Sequence, residues 1–124
     1  MPRTPRIKPP VVPGKVVTAN TAEEVTRLAA EATGPVVLDF VEEGCEYCDE
    51  EAPKVAEIAS KCGGVTIIRA DPTKNESINK LADAWGIEGF PTMFHAKTGA
   101  DLKPGVASEL ADSDALRKLM KCPR

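Results

Sequence analysis

Residues 36–41, Val-Val-Leu-Asp-Phe-Val, form a nearly continuous apolar run that begins directly after Gly34-Pro35. Such a run reads as a strand buried on both faces, the kind found inside a sheet that helices cover on each side. The flanking sequence supplies the helices. Thr21-Ala22-Glu23-Glu24 has the pattern of a capping box, and Val25, Leu28, Ala29 and Ala32 follow at helical spacing. Beyond the run, Cys48, Ala52, Val55, Ala59 and Cys62 recur in steps of four and three along one helical stripe, which Pro53 is expected to bend. Val16-Val17-Thr18 and residues 65–70 read as further strands, and Ile78, Leu81, Ala82 and Trp85 as a helix closed by Gly86. Residues 92–96 and 101–107, separated by Lys97-Thr98-Gly99, have the look of a hairpin, and Leu116, Leu119 and Met120 mark a last helix. The order β, α, β, α, β, α, β, β, α predicts an α/β fold. A central mixed sheet of about five strands is flanked by four helices in three α/β/α layers, because parallel neighbours need crossover helices.

A chain of 124 residues is large enough for one such domain and too small for two. Hydrophobic residues at 42% and charged residues at 28% exclude a disordered, collagen-like or coiled-coil chain. Five of eleven prolines fall within residues 1–14, so that segment is expected to be a basic, proline-rich tail and 15–124 the folded domain. The longest aliphatic stretches span only a few residues, against the roughly 20 that a membrane span requires, and no apolar segment follows the basic amino terminus. A cytoplasmic location is expected. The net charge of −3 argues against a dedicated nucleic-acid binder. Residues 1–20 hold Arg3, Arg6, Lys8 and Lys15 and no acid, which leaves twelve basic against nineteen acidic side chains for the remainder.

Gly44-Cys45-Glu46-Tyr47-Cys48 lies where the buried strand ends and a helix begins. Cys45 there meets free N–H groups and the positive end of the helix dipole, which favour a thiolate, and a second thiol one turn on is placed to resolve a mixed disulfide. The spacing alone fits half a zinc site equally well. The remaining ligand candidates are Cys62, Cys122 and His95. On a continuous helix Cys62 would stand about 21 Å from Cys48, far beyond the reach of one metal ion. His95 is a lone histidine in an apolar strand and reads as structural.

Three features together give the chain after the tail its resemblance to the thioredoxin family: the Val-Val-Leu-Asp-Phe strand at its interval before the cysteine pair, Pro53 five residues after Cys48, and Trp85-Gly-Ile-Glu-Gly-Phe-Pro-Thr92. The resemblance implies a protein-disulfide reductase with Cys45 as nucleophile, Cys48 as resolving thiol and no bound cofactor or metal. It also implies a cis Pro91 facing the pair, with Phe90, Pro91, Glu46, Tyr47 and Gly105 touching the substrate. Asp39, six residues before Cys45, matches the buried aspartate that serves the family as a general base for Cys48. The implied partners are protein disulfides and an electron-donating reductase such as thioredoxin reductase, with the chain acting as a monomer.

The sequence departs from the family's pattern at several points. Gly44 stands where the family has tryptophan, Glu46-Tyr47 replaces Gly-Pro, and Ile67 occupies the place of the lysine that partners the buried aspartate. Six acids, Glu42, Glu43, Glu46, Asp49, Glu50 and Glu51, crowd the pair and oppose a thiolate, each by about 0.5–2 kcal/mol at roughly 7 Å. That favours a reductant over an oxidant and clients with basic surfaces. Two other readings stand beside this one: a docking module of the same fold with little turnover, and an exported thiol oxidase or isomerase. A second disulfide between Cys62 and Cys122 is compatible with the implied fold, in which their helices lie on one sheet face.

Overall fold

A computed structural model describes residues 14–121. Most of the expected tail and Cys122 lie outside the described residues. The chain forms β1 (Lys15–Ala19), α1 (Ala22–Glu31), β2 (Val36–Phe40), α2 (Glu46–Lys61), β3 (Thr66–Ala70), α3 (Glu76–Trp85), β4 (Thr92–Ala96), β5 (Ser108–Leu110) and α4 (Ser113–Met120). The strands form one sheet in the order β1-β3-β2-β4-β5. β1 and β2 run parallel to β3, whereas β4 is antiparallel to both β2 and β5. This is the mixed five-stranded sheet with four helices expected from the element order.

All five residues of β2 are buried, and strand alternation divides them between two cores. Val36, Leu38 and Phe40 join Val25 and Ala29 of α1 and Ile78 and Ala82 of α3 on one face. There Phe40, Trp85 and Phe94 pack at ring separations of 6.4, 6.3 and 4.5 Å, worth about 0.5–1.5 kcal/mol per pair beyond their burial. On the other face Val37 meets Val55, Ile58 and Ala59 of α2, Ile67 of β3, Met93 of β4 and Leu116 of α4. Helices α2 and α4 thus share one sheet face, as anticipated.

Local chemistry sets the ends of the helices. The Thr21 side chain accepts from the Glu24 N–H at 3.1 Å, one half of the expected capping box, while the Glu24 carboxylate accepts from the Asn20 N–H at 3.4 Å in place of that of Thr21; Asn75 caps α3 and Asp112 caps α4. Pro53 lies in the interior of α2 without ending it.

The hairpin differs from expectation. Residues 99–101 form a 3-10 turn, 104–106 a second turn, and the returning strand is Ser108–Leu110 instead of residues 101–107. Pro104 has no N–H to donate and Gly105 has φ +82°, so this pair cannot continue a ladder. The 3-10 turn packs against the end of α1 so closely that a β-carbon on Gly99 would collide with the Ala29 carbonyl oxygen. Gly99→Ala should therefore lower the unfolding free energy by about 1–3 kcal/mol in urea titrations.

Candidate active site

The 41–45 loop joins β2 to α2 and is fixed by backbone and side-chain bonds. The Val41 N–H donates to the Ala70 carbonyl at 3.0 Å and the Cys45 N–H to the Glu42 carbonyl at 3.2 Å. Asp71 accepts from the Glu43 N–H at 3.0 Å and from the Thr73 N–H and hydroxyl at 2.8 and 2.6 Å, so one carboxylate braces two loops. Sequence reasoning passed over Asp71. Its signal was the Asp-Pro-Thr turn directly after a strand. Gly44 adopts φ +81°, a left-handed conformation that a tryptophan would enter only with strain.

Cys45 is the N-cap of α2, with its Sγ accepting from the Cys48 N–H at 3.1 Å. The two cysteines are joined as a disulfide with Cα atoms 5.2 Å apart. Their environments differ. Cys45 is half-buried, whereas Cys48 is 2% exposed on the inner stripe of the helix. An incoming disulfide therefore meets Cys45 first. Glu46 is exposed and Tyr47 is 70% exposed, so both face solvent beside the pair. No group of acids, cysteines and histidines suited to a metal ion occurs among the described residues.

The Phe90–Pro91 peptide is cis. Phe40 pairs with Thr92, so Pro91 emerges at the same end of the sheet as the cysteine loop. The Thr92 hydroxyl donates to the Gly89 carbonyl at 2.6 Å and closes the turn before Pro91, and Phe90 packs half-buried against the aromatic core. Gly105 is not brought to this end. His95 pairs with Ser108 and Met93 with Leu110, so β5 approaches Pro91 through Leu110, and Gly105 lies beyond the opposite end of β4. The residues beside Pro91 in a shallow cleft are Thr92, Glu109, Leu110 and Ala111. The hairpin shift described above is the cause. His95 itself is buried within β4, and burial, with Lys97 nearby, pulls its pKa down.

Asp39 is 4% exposed and lies on the α2 side of the sheet, two residues from Val37. Burial pushes its pKa from 3.8 up to about 7, Arg69 opposes the rise and Glu51 adds to it. Arg69, directly opposite Asp39 in the β2–β3 register, brings Nε to 3.9 Å from Oδ2. Ile67, at the place expected for a lysine, is fully buried in the apolar core. The cation is thus two residues further along the same strand face. Period-two alternation would have put Arg69 on that face, but only the register shows it opposite Asp39. Of the six acids, Glu43, Glu46, Asp49 and Glu50 are exposed, and Glu42 is half-buried. Glu51 turns away from solvent and accepts from the Ser113 hydroxyl and N–H at 2.6 and 3.3 Å.

The thioredoxin family model matches residues 15–122. A thioredoxin of Aspergillus fumigatus is 33% identical over 93 residues, which covers 75% of this chain and 82% of that protein. The short form of thioredoxin f from spinach chloroplast superposes with a TM-score of 0.69 at 26% identity, over 89% of this chain and 94% of that one. Thioredoxin f2, solved in complex with ferredoxin:thioredoxin reductase, superposes with a TM-score of 0.66 at 23% identity, over 90% of this chain and 94% of that one.

Asp39 has a consequence for stability. The folded chain holds its proton between pH 3.8 and about 7, where the unfolded chain has released it, so stability falls as the pH rises through that window. The loss amounts to about 4 kcal/mol by pH 8. Asp39→Asn should unfold at higher urea concentration than the parent at pH 8, with the advantage shrinking toward pH 4.

Proposed function

This chain belongs to the thioredoxin family and is a thiol–disulfide oxidoreductase, in which we propose that Cys45 attacks, Cys48 resolves and Asp39 takes the proton. The Cys45 thiolate displaces one sulfur of a client disulfide, which leaves as a thiolate and takes up a proton, and a mixed disulfide joins Cys45 to the other client sulfur. Cys48 then gives its proton to the Asp39 carboxylate and attacks Cys45 Sγ. The Cys45–Cys48 disulfide forms and the second client sulfur leaves with the electron pair of the broken bond. The client gains two electrons from the protein and two protons, one passed from Cys48 through Asp39 to the second sulfur and one taken from solvent by the first, since Cys45 enters as a thiolate. The observation that carries this reading is the unequal exposure of the two sulfurs at the start of α2, one reachable and one buried.

Substrate contact falls to the cis-proline turn and the dipeptide between the cysteines. The Phe90 backbone beside Pro91 would hold an extended client segment, and Glu46 and Tyr47 would flank it. Exposed Glu43, Glu46, Asp49 and Glu50 favour basic client segments. An electron-donating reductase returns the disulfide to dithiol. The thioredoxin f2 solved with its reductase supports that partnership for the fold. A reducing compartment such as the cytoplasm suits a dithiol that must persist between encounters. Among the described residues no helix is long and apolar enough to cross a membrane.

Insulin reduction by the dithiol protein tests the activity. Cys45→Ser should lower turnover at least about a hundredfold, because an alkoxide does not form at neutral pH in place of the thiolate. Cys48→Ser should accumulate mixed disulfides on Cys45 that can be identified by mass. For a peptide disulfide flanked by lysines, kcat/KM should fall about three- to tenfold between low and moderate salt, while one flanked by glutamates should move the other way.

A further inference from the structure

The other two cysteines stand apart from the redox site. Cys62 ends α2, its N–H donating to the Ile58 carbonyl at 2.8 Å, and the length of the helix puts it about 25 Å from Cys45. It is 5% exposed, in the apolar core that Ile58 and Ala59 share with Leu116 of α4. Cys62 is also disulfide-bonded. The chain holds four cysteines and Cys45 is bonded to Cys48, so the partner available within the chain is Cys122, which lies outside the described residues. The end of α4 is suited to deliver it. Met120 packs against the core that contains Cys62. Lys121 is the one non-glycine residue with positive φ among the described residues, at +52°, and its N–H donates back to the Arg117 and Lys118 carbonyls. A left-handed residue in that place ordinarily turns the side chain after it back onto the last turn of the helix, and Leu116 there enters the same core as Cys62.

We propose that Cys62 and Cys122 form a second disulfide that stays closed while the Cys45–Cys48 pair opens and closes, a staple between the ends of α2 and α4. Helix α4 gains most from such a fastening. It has eight residues, fewer than the roughly 12–15 at which an isolated helix is even marginally stable. At its start, Ser113 is bonded to Glu51 of α2. The staple fixes its other end to the same helix. Closure takes two electrons and two protons from the two thiols and passes them to a low-molecular-weight disulfide, which leaves as two thiols. Separation prevents exchange between the two pairs within one molecule. Burial of Cys62 keeps an incoming thiolate from its sulfur while the fold is intact, so the staple resists the reductant that reopens the exposed pair.

The pairing is tested in the full chain carrying Cys45→Ser and Cys48→Ser, which keeps Cys62 and Cys122 alone. After equilibration with oxidised glutathione, unfolding with an alkylating reagent and no reductant should label neither sulfur, and the peptide map should join residue 62 to residue 122. Two labels, or a glutathione adduct in place of the cross-link, overturn the pairing. Strong reductant should then lower the urea midpoint of this variant by about 1–2 M, and should have no such effect once Cys122→Ser is added. An unmoved midpoint in the first variant overturns the staple. In a series of dithiothreitol buffers, the parent's Cys45–Cys48 bond should be half reduced at a ratio of reduced to oxidised reagent at least about tenfold lower than its Cys62–Cys122 bond. A single transition for both overturns the division of roles. Should the serine variant not fold, the peptide map and the buffer series on the parent decide the pairing and the division.

Discussion

Complete burial of β2 is the constraint on which the molecule turns. A strand with both faces covered requires helices above and below, and the sheet order follows from placing it between β3 and β4. The same burial takes one carboxylate out of water. Asp39 occupies a position where an aliphatic residue would pack as Val37 does, and its desolvation is unfavourable for the fold whenever it is charged. A domain of this size has only a small margin of net stability. An acid in the central strand is therefore a cost in stability, and the role of base proposed for Asp39 gives that cost a use.

Opposing fields meet at the start of α2. Its unpaired N–H groups favour negative charge at Cys45, and the exposed acids of the same turn and of the preceding loop disfavour it. A dithiol is preserved better where the thiolate is less stabilised, which accords with a protein that gives electrons away. One helical turn deeper the arrangement is different. There Arg69 stands with its Nε 3.9 Å from the carboxylate of the buried acid, in surroundings where screening is weak and a charge counts for more.

What could be read from the residues was whatever depended on local periodicity. β2, β4, the four helices and the Cys45–Cys48 pair follow from runs, caps and spacings confined to a few neighbours. The fifth strand was displaced because the aliphatic residues around Pro104-Gly105 suggested a strand that backbone chemistry at those two residues forbids. Gly105 was carried away from Pro91 by the same slip. Arg69 and Glu51 were hidden for another reason. Which cation faces Asp39 depends on the register between β2 and β3, strands that are joined through the whole of α2. Which of three consecutive acids turns inward depends on the phase of α2 against α4. Neither is encoded within a short window of sequence.

The first turn of α2 is capped by sulfur. The atom that would attack a client is also the acceptor for the Cys48 amide, so chemistry and helix start share a single side chain. Exchanging that sulfur for a hydroxyl leaves an oxygen able to take the same amide, since serine is among the preferred caps, whereas alanine leaves the amide without a protein acceptor. Loss of reactivity and loosening of the helix end are thus separable at this position by the choice of replacement.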